Sequence, residues 1–194
     1  MQRVLLLLAV AVVFASCSSD SSNPNILSDD QRAQLVAVCA TGQGIGDAFG
    51  AEYQPDGSNK VHLAIHQADG GPDTAEDVAA PGNSSANQRA RLREFNGRPA
   101  ELSLVLCAEI VNETMGELCE FEDGFTSTWT DRDYSLTVRN LKTGEVLAPA
   151  TNSQAVGVCS SSLIFSEDEP DLTSTASPDV GDRIRILNPF VGSE

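Results

Sequence analysis

The chain has 194 residues, with 28 acidic against 12 basic side chains and a formal net charge of −16. This balance excludes a general nucleic-acid binder, because no basic patch is available to displace counterions from phosphates, and it disfavours docking of the folded part on anionic lipid. Lysine is confined to Lys60 and Lys142.

At the start, Met1-Gln2-Arg3 carries one positive charge and residues 4–13 form an uninterrupted apolar run of ten, the pattern of an export signal. The run is too short to span a bilayer, which takes about 20 apolar residues. It leads into Phe14-Ala15-Ser16-Cys17, two small residues before a cysteine. This stretch resembles the lipobox of bacterial lipoproteins. The resemblance implies cleavage before Cys17 and a diacylglyceryl group on its sulfur, with Phe14 standing where that family usually carries Leu. The alternative is an ordinary secretory signal cut at Ala15 or Ser16. Residues 18–25 are Ser/Asn-rich and free of apolar side chains, so residues 17–27 read as a lipidated N-terminus and flexible spacer.

Residues 28–194 fit one domain. Once Arg3 leaves with the signal, the 178 residues from Cys17 carry 28 acidic and 11 basic side chains, a net charge near −17. Cys39, Cys107, Cys119 and Cys159 then form an even set, which in an exported chain reads as two disulfides. No C-x-x-C pair is present and His62 and His66 lie far from the cysteines, so no metal site or cofactor is expected.

In chain order, Ser28 to Gln31 supply helix-capping residues, and Leu35, Val36, Val38 and Cys39 follow at helical spacing, predicting a helix over 28–40. Gly42, Gly44 and Gly46 stop it. Residues 61–67 alternate as a strand, with Val61, Leu63 and Ile65 on one face and His62, Ala64 and His66 on the other. On a strand, His62 and His66 are about 13 Å apart, too far to share a metal, and they read as half-exposed. Residues 68–99 are poor in apolar side chains and read as a long surface excursion with one helical turn near 89–95.

Residues 102–111 are the clearest strand, with a partner expected at 117–122. A turn at 112–114 would place Cys107 directly opposite Cys119 across an antiparallel hairpin, at a separation a disulfide closes. Cys39 would then pair with Cys159. Residues 134–139 and 145–148 form a second hairpin, whose turn offers Gly144 for a positive φ. Another short strand is expected at 159–165, an acidic loop at 166–177, and a terminal amphipathic helix from Val180 to Val191 or, alternatively, a strand over 183–187. The expected architecture is α+β: a mainly antiparallel sheet of four to six short strands, a short helix near each end, and two disulfides.

Cys39, Gly42, Gly44 and Tyr53, with the strand around Cys107 and the Cys119-Glu120-Phe121 strand, resemble a pattern in secreted or membrane-anchored bacterial proteins of unassigned activity. The likeness spans residues 39–165 and implies the same disulfide pairing.

No catalytic constellation emerges: there is no Gly-x-Ser-x-Gly or Ser-x-x-Lys, and Gly42-Gln43-Gly44 lacks the strand and lysine of a phosphate loop. The acidic clusters at 69–77, 131–133 and 167–171 read as solvated faces, with a calcium site as the alternative. Trp129 and Tyr134 are expected to pack the sheet. The expectation is a non-enzymatic, lipid-anchored, extracytoplasmic protein of the cell or outer membrane. It would be held to the membrane by its N-terminal lipid and would bind an extracellular protein or small ligand, and no nucleic acid. A carboxylate-dependent envelope hydrolase and a structural envelope component are the alternatives. A pocket of convergent buried acids would favour the hydrolase.

Overall fold

Ser28 opens the first helix by accepting a hydrogen bond from Gln31 N while Gln31 Oε1 accepts from Ser28 N, a reciprocal capping box that satisfies two otherwise unpaired donors. This helix, α1 (Asp29–Thr41), ends at Gly42, whose φ of 73° lets its N–H reach back to Val38 O. The computed structural model describes residues 26–55, 57–67, 73–76, 78, 85–121, 126–157, 159 and 171–191, with backbone alone at 76 and at 171–175. The expected signal at 1–16, Cys17 and the spacer through residue 25 lie outside the described residues. So do 160–165 of the expected strand and 166–170 of the expected loop.

The remaining elements are β1 (Lys60–Gln67), β2 (Thr74–Glu76), α2 (Ala86–Phe95), a single 3-10 turn (Pro99–Glu101), β3 (Leu102–Glu120), β4 (Thr126–Asn140), β5 (Val146–Ala155), β6 (Asp171–Thr175) and α3 (Val180–Leu187). They form one six-stranded sheet in the order β2-β1-β3-β4-β5, and β6 pairs with β4 beyond the end of β5. The β1–β3 and β4–β6 pairs are parallel and the other three antiparallel. The fold is α+β with a mostly antiparallel sheet, helices near both ends and two disulfides, as the sequence predicts.

Helices cover both faces of the middle of this sheet. On one side α1 lays Leu35, Val38 and Cys39 over Ala64, Val105 and Cys107. On the other, Leu92 and Phe95 of α2 and Ile186 and Leu187 of α3 join Leu63, Leu106, Tyr134 and Leu136. That explains the near-continuous apolar composition of 102–110, which is buried at every position but Glu109. A strand covered on both faces has no solvent side to alternate toward. Asn59, 2% exposed, ties the layers together: its Oδ1 accepts from Gln54 N and Ser103 Oγ, and its Nδ2 donates to Gln54 O and Phe190 O.

The stretch 68–99 is not a bare excursion. It contributes β2, which pairs with β1, and the ten-residue α2. Ser85 and Gln88 form a second capping box, and Leu92 and Phe95, three apart, suffice to anchor the helix. Two buried side chains in a run of arginines are too few to raise the local apolar content, although the Ser-x-x-Gln signature was present.

Residues 112–114 are not a turn. β3 runs straight through them for 19 residues and pairs with the 15-residue β4, bulging between Ile110 and Asn112 and again between Met115 and Leu118. Cys107 and Cys119 therefore lie on one strand, separated by about 40 Å at 3.3 Å per residue, and cannot bond. The expected pairing is overturned: Cys39 bonds Cys107 and Cys119 bonds Cys159. The β4–β5 hairpin and α3 stand where predicted, and Gly144 has φ 75°.

Candidate functional site

The cysteines fall at opposite ends of β3. Cys39, on the inner face of α1, meets Cys107 with a Cα separation of 5.4 Å, and both are buried. Cys119 is buried near the far end of the strand and joins an exposed Cys159 at 5.6 Å. The approach to Cys159 lies on β4: Gly157 N donates to Asp131 Oδ1 at 2.8 Å, and a Cβ on Gly157 would stand 2.4 Å from Trp129 Cβ. Asp131 thus holds backbone, and Asp133 accepts from Asn112 Nδ2 across the ribbon. Tyr134 is 1% exposed and its hydroxyl donates to Ala176 O, while Trp129 is half-buried under Gly157, so both pack the sheet.

The early glycines act as contact points. Ile45 N and Gly46 N donate to Leu141 O and Lys142 O in the β4–β5 turn. A Cβ at Gly44 would lie 2.1 Å from Lys142 O, and one at Gly144 would lie 2.1 Å from Gly42 O. The two turns meet backbone to backbone, which only glycine permits.

His62 and His66 lie on β1 as predicted, His62 half-buried and His66 only 8% exposed, deeper than expected. Among the described residues no group of three or more His, Cys, Asp or Glu could hold a metal ion, and no Asp or Glu is buried. A cavity of about 630 Å³ lies between α1 and β2, walled by Ala33, Val36, Ala37 and Ala40. Asp29, Arg32 and Asp73 stand at its rim, and Arg32 Nη1 is committed to Ala75 O at 2.9 Å. The two carboxylates are exposed and do not converge in a closed pocket.

The second surface is the far half of the β3–β4 ribbon. β1 covers the outer side of β3 only as far as the Gln67–Ile110 pair. Gln67 N then donates to Asp73 Oδ1 and the chain pairs back as β2. From Val111 onward, no described strand pairs with β3 on the side away from β4. This stretch exposes Val111 (57%), Met115 (85%) and Leu118 (55%). Glu113 pairs with Arg132, Oε2 to Nη2 at 3.2 Å, and Glu117 and Glu120 are exposed. Reading 112–114 as a turn hid this surface. The missed signal was that 111–120 holds no Pro and only one Gly, too little punctuation for a hairpin.

No family model, curated protein or solved structure matches the chain.

Proposed function

We propose that the protein is a lipid-anchored extracytoplasmic binding module whose binding surface is the far half of the β3–β4 ribbon. The observation that carries the binding role is the run of exposed apolar side chains, Val111, Met115 and Leu118, along a strand edge that no described strand covers. Contiguous exposed apolar surface is costly to keep in water and marks interaction sites. The two disulfides support an oxidising compartment. Residues 1–16 would serve as the export signal and Cys17 as the lipid-bearing residue, on the strength of the small-small-Cys context.

A hydrolase reading has less support, because the described acidic side chains are all at least partly exposed and do not converge in a closed pocket. Mass spectrometry of the membrane-bound form tests the anchor: a mature chain beginning at Cys17 with added acyl mass is expected, and an unmodified chain with a free Cys17 thiol rejects it. Crosslinking on intact cells tests the binding role. A discrete partner is expected, and recovery of only self or bulk envelope would make the protein a structural component.

A further inference from the structure

We propose that the outer edge of β3 between residues 111 and 120 accepts an extended cationic segment of another protein as an added strand, the guest's apolar side chains lying against Met115 and Leu118; this rests on the binding-module reading above.

An open strand edge presents a row of backbone donors and acceptors to any extended chain, and peptide recognition by strand addition uses such edges. Edges are kept from pairing by lysine or other charges, by proline or by bulges. Residues 111–120 contain no lysine or proline; their protection is three glutamates, which turn away acidic chains, and the bulges beside Val111 and between Met115 and Leu118, and they still present Val111, Met115 and Leu118 to solvent. The register of β3 on β4 places Glu113, Met115 and Leu118 on one face, opposite Arg132, Thr130 and Thr128. Met115 and Leu118 therefore lie on the same side of the edge, on either side of a bulge. On the other face, Cys119 is bonded to Cys159 and Gly157 lies over Trp129, which leaves the Met115 face as the accessible one.

Charge selects the guest. The far half of the ribbon carries Glu113, Glu117, Glu120, Asp131 and Asp133 against one cation among its described residues, Arg132, which is 8% exposed and engaged by Glu113. A guest rich in Lys or Arg meets a surface of opposite charge, while nucleic acid and anionic lipid are repelled. A second copy of the chain is disfavoured on the same ground. Antiparallel pairing of two such edges with Met115 opposite Met115 would bring Glu113 and Glu117 of the two copies together, and like charges directly opposed destabilise a sheet.

The test uses the full chain in detergent and a fluorescent capped octapeptide of alternating Val and Lys, with a Gly/Lys octapeptide of equal charge as control. Saturable binding of the Val/Lys peptide is expected, at least tenfold tighter than the control. The double variant M115D/L118D makes the chain more acidic, so it should strengthen purely electrostatic attraction. The proposal expects it to weaken Val/Lys binding at least tenfold while circular dichroism at the assay temperature shows the fold retained. E117K/E120K should weaken binding as well. Equal binding of the two peptides, or undiminished binding by M115D/L118D, overturns the edge as the docking site and leaves the binding-module reading to the crosslinking result. A dimer that M115D/L118D dissociates would also overturn it, assigning the edge to self-association.

Discussion

Cys159 is exposed while its partner Cys119 is buried, whereas Cys39 and Cys107 are both buried between α1 and the sheet. Attack by a thiolate requires access to a sulfur, so mild thiol reductant should open Cys119–Cys159 first. Stepwise alkylation and peptide mapping should label Cys119 and Cys159 before Cys39 and Cys107, and simultaneous labelling of all four would contradict this packing. The loops close over 40 and 68 residues, so chain entropy assigns each bond about 4 kcal/mol. Replacing Cys39 and Cys107 together with Ser should nonetheless cost more than replacing the other pair, because it also places hydroxyls in the α1 core.

Asn59 makes four hydrogen bonds to Gln54, Ser103 and Phe190 from a site 2% exposed. Asn59→Ala leaves several of those groups short of a partner, at about 3 kcal/mol in total. Urea denaturation should show that loss mainly as a lower midpoint with little change in slope. Asn59→Asp should cost at least as much at pH 7, since it keeps the acceptor for Gln54 N and Ser103 but buries a charge and turns a carboxylate oxygen toward Gln54 O and Phe190 O.

Gly144→Ala meets two obstacles, a φ of 75° and the carbonyl oxygen of Gly42 2.1 Å from the new Cβ. The conformation alone costs about 1–2 kcal/mol, and displacing the glycine turn adds to it. Gly46→Ala is the matched control, with φ 58° but nothing within 4 Å of its Cβ. It should lose only the conformational part, and equal melting temperatures for the two variants would argue against the backbone contact.

Lys142 lies beside Glu52 at 3.0 Å and Asp47 at 3.4 Å. Its pKa is raised above the ordinary 10.5, first by the hydrogen bond to Glu52 and then by that to Asp47, with desolvation opposing. A raised base stabilises the fold in full below its unfolded pKa and loses that contribution as pH climbs through the folded value. K142M should therefore melt below the wild type at pH 7. The gap should close as pH rises above 10.5, and a gap that persisted would show that Lys142 acts by packing alone.

Local chemistry was legible where a few adjacent residues settle the conformation. The Ser28–Gln31 box starts α1, Gly42 ends it, Asn140 to Gly144 turn the β4–β5 hairpin, and the spacing from Val180 to Leu187 makes α3. Composition alone was enough to expect two disulfides and an acidic surface. The partners of those cysteines were not legible, because pairing depends on whether β3 stops at Asn112 or continues. That is decided by what lies alongside: β4 supplies partners out to Glu120, and the ladder outweighs the weak turn tendency of Asn112-Glu113-Thr114. Once β3 is continuous, α1 brings Cys39 over Cys107, the chain beyond β5 brings Cys159 to Cys119, and β1 ends too early to cover Val111, Met115 and Leu118. An open edge is a property of the whole sheet, since it exists only where a neighbouring strand stops.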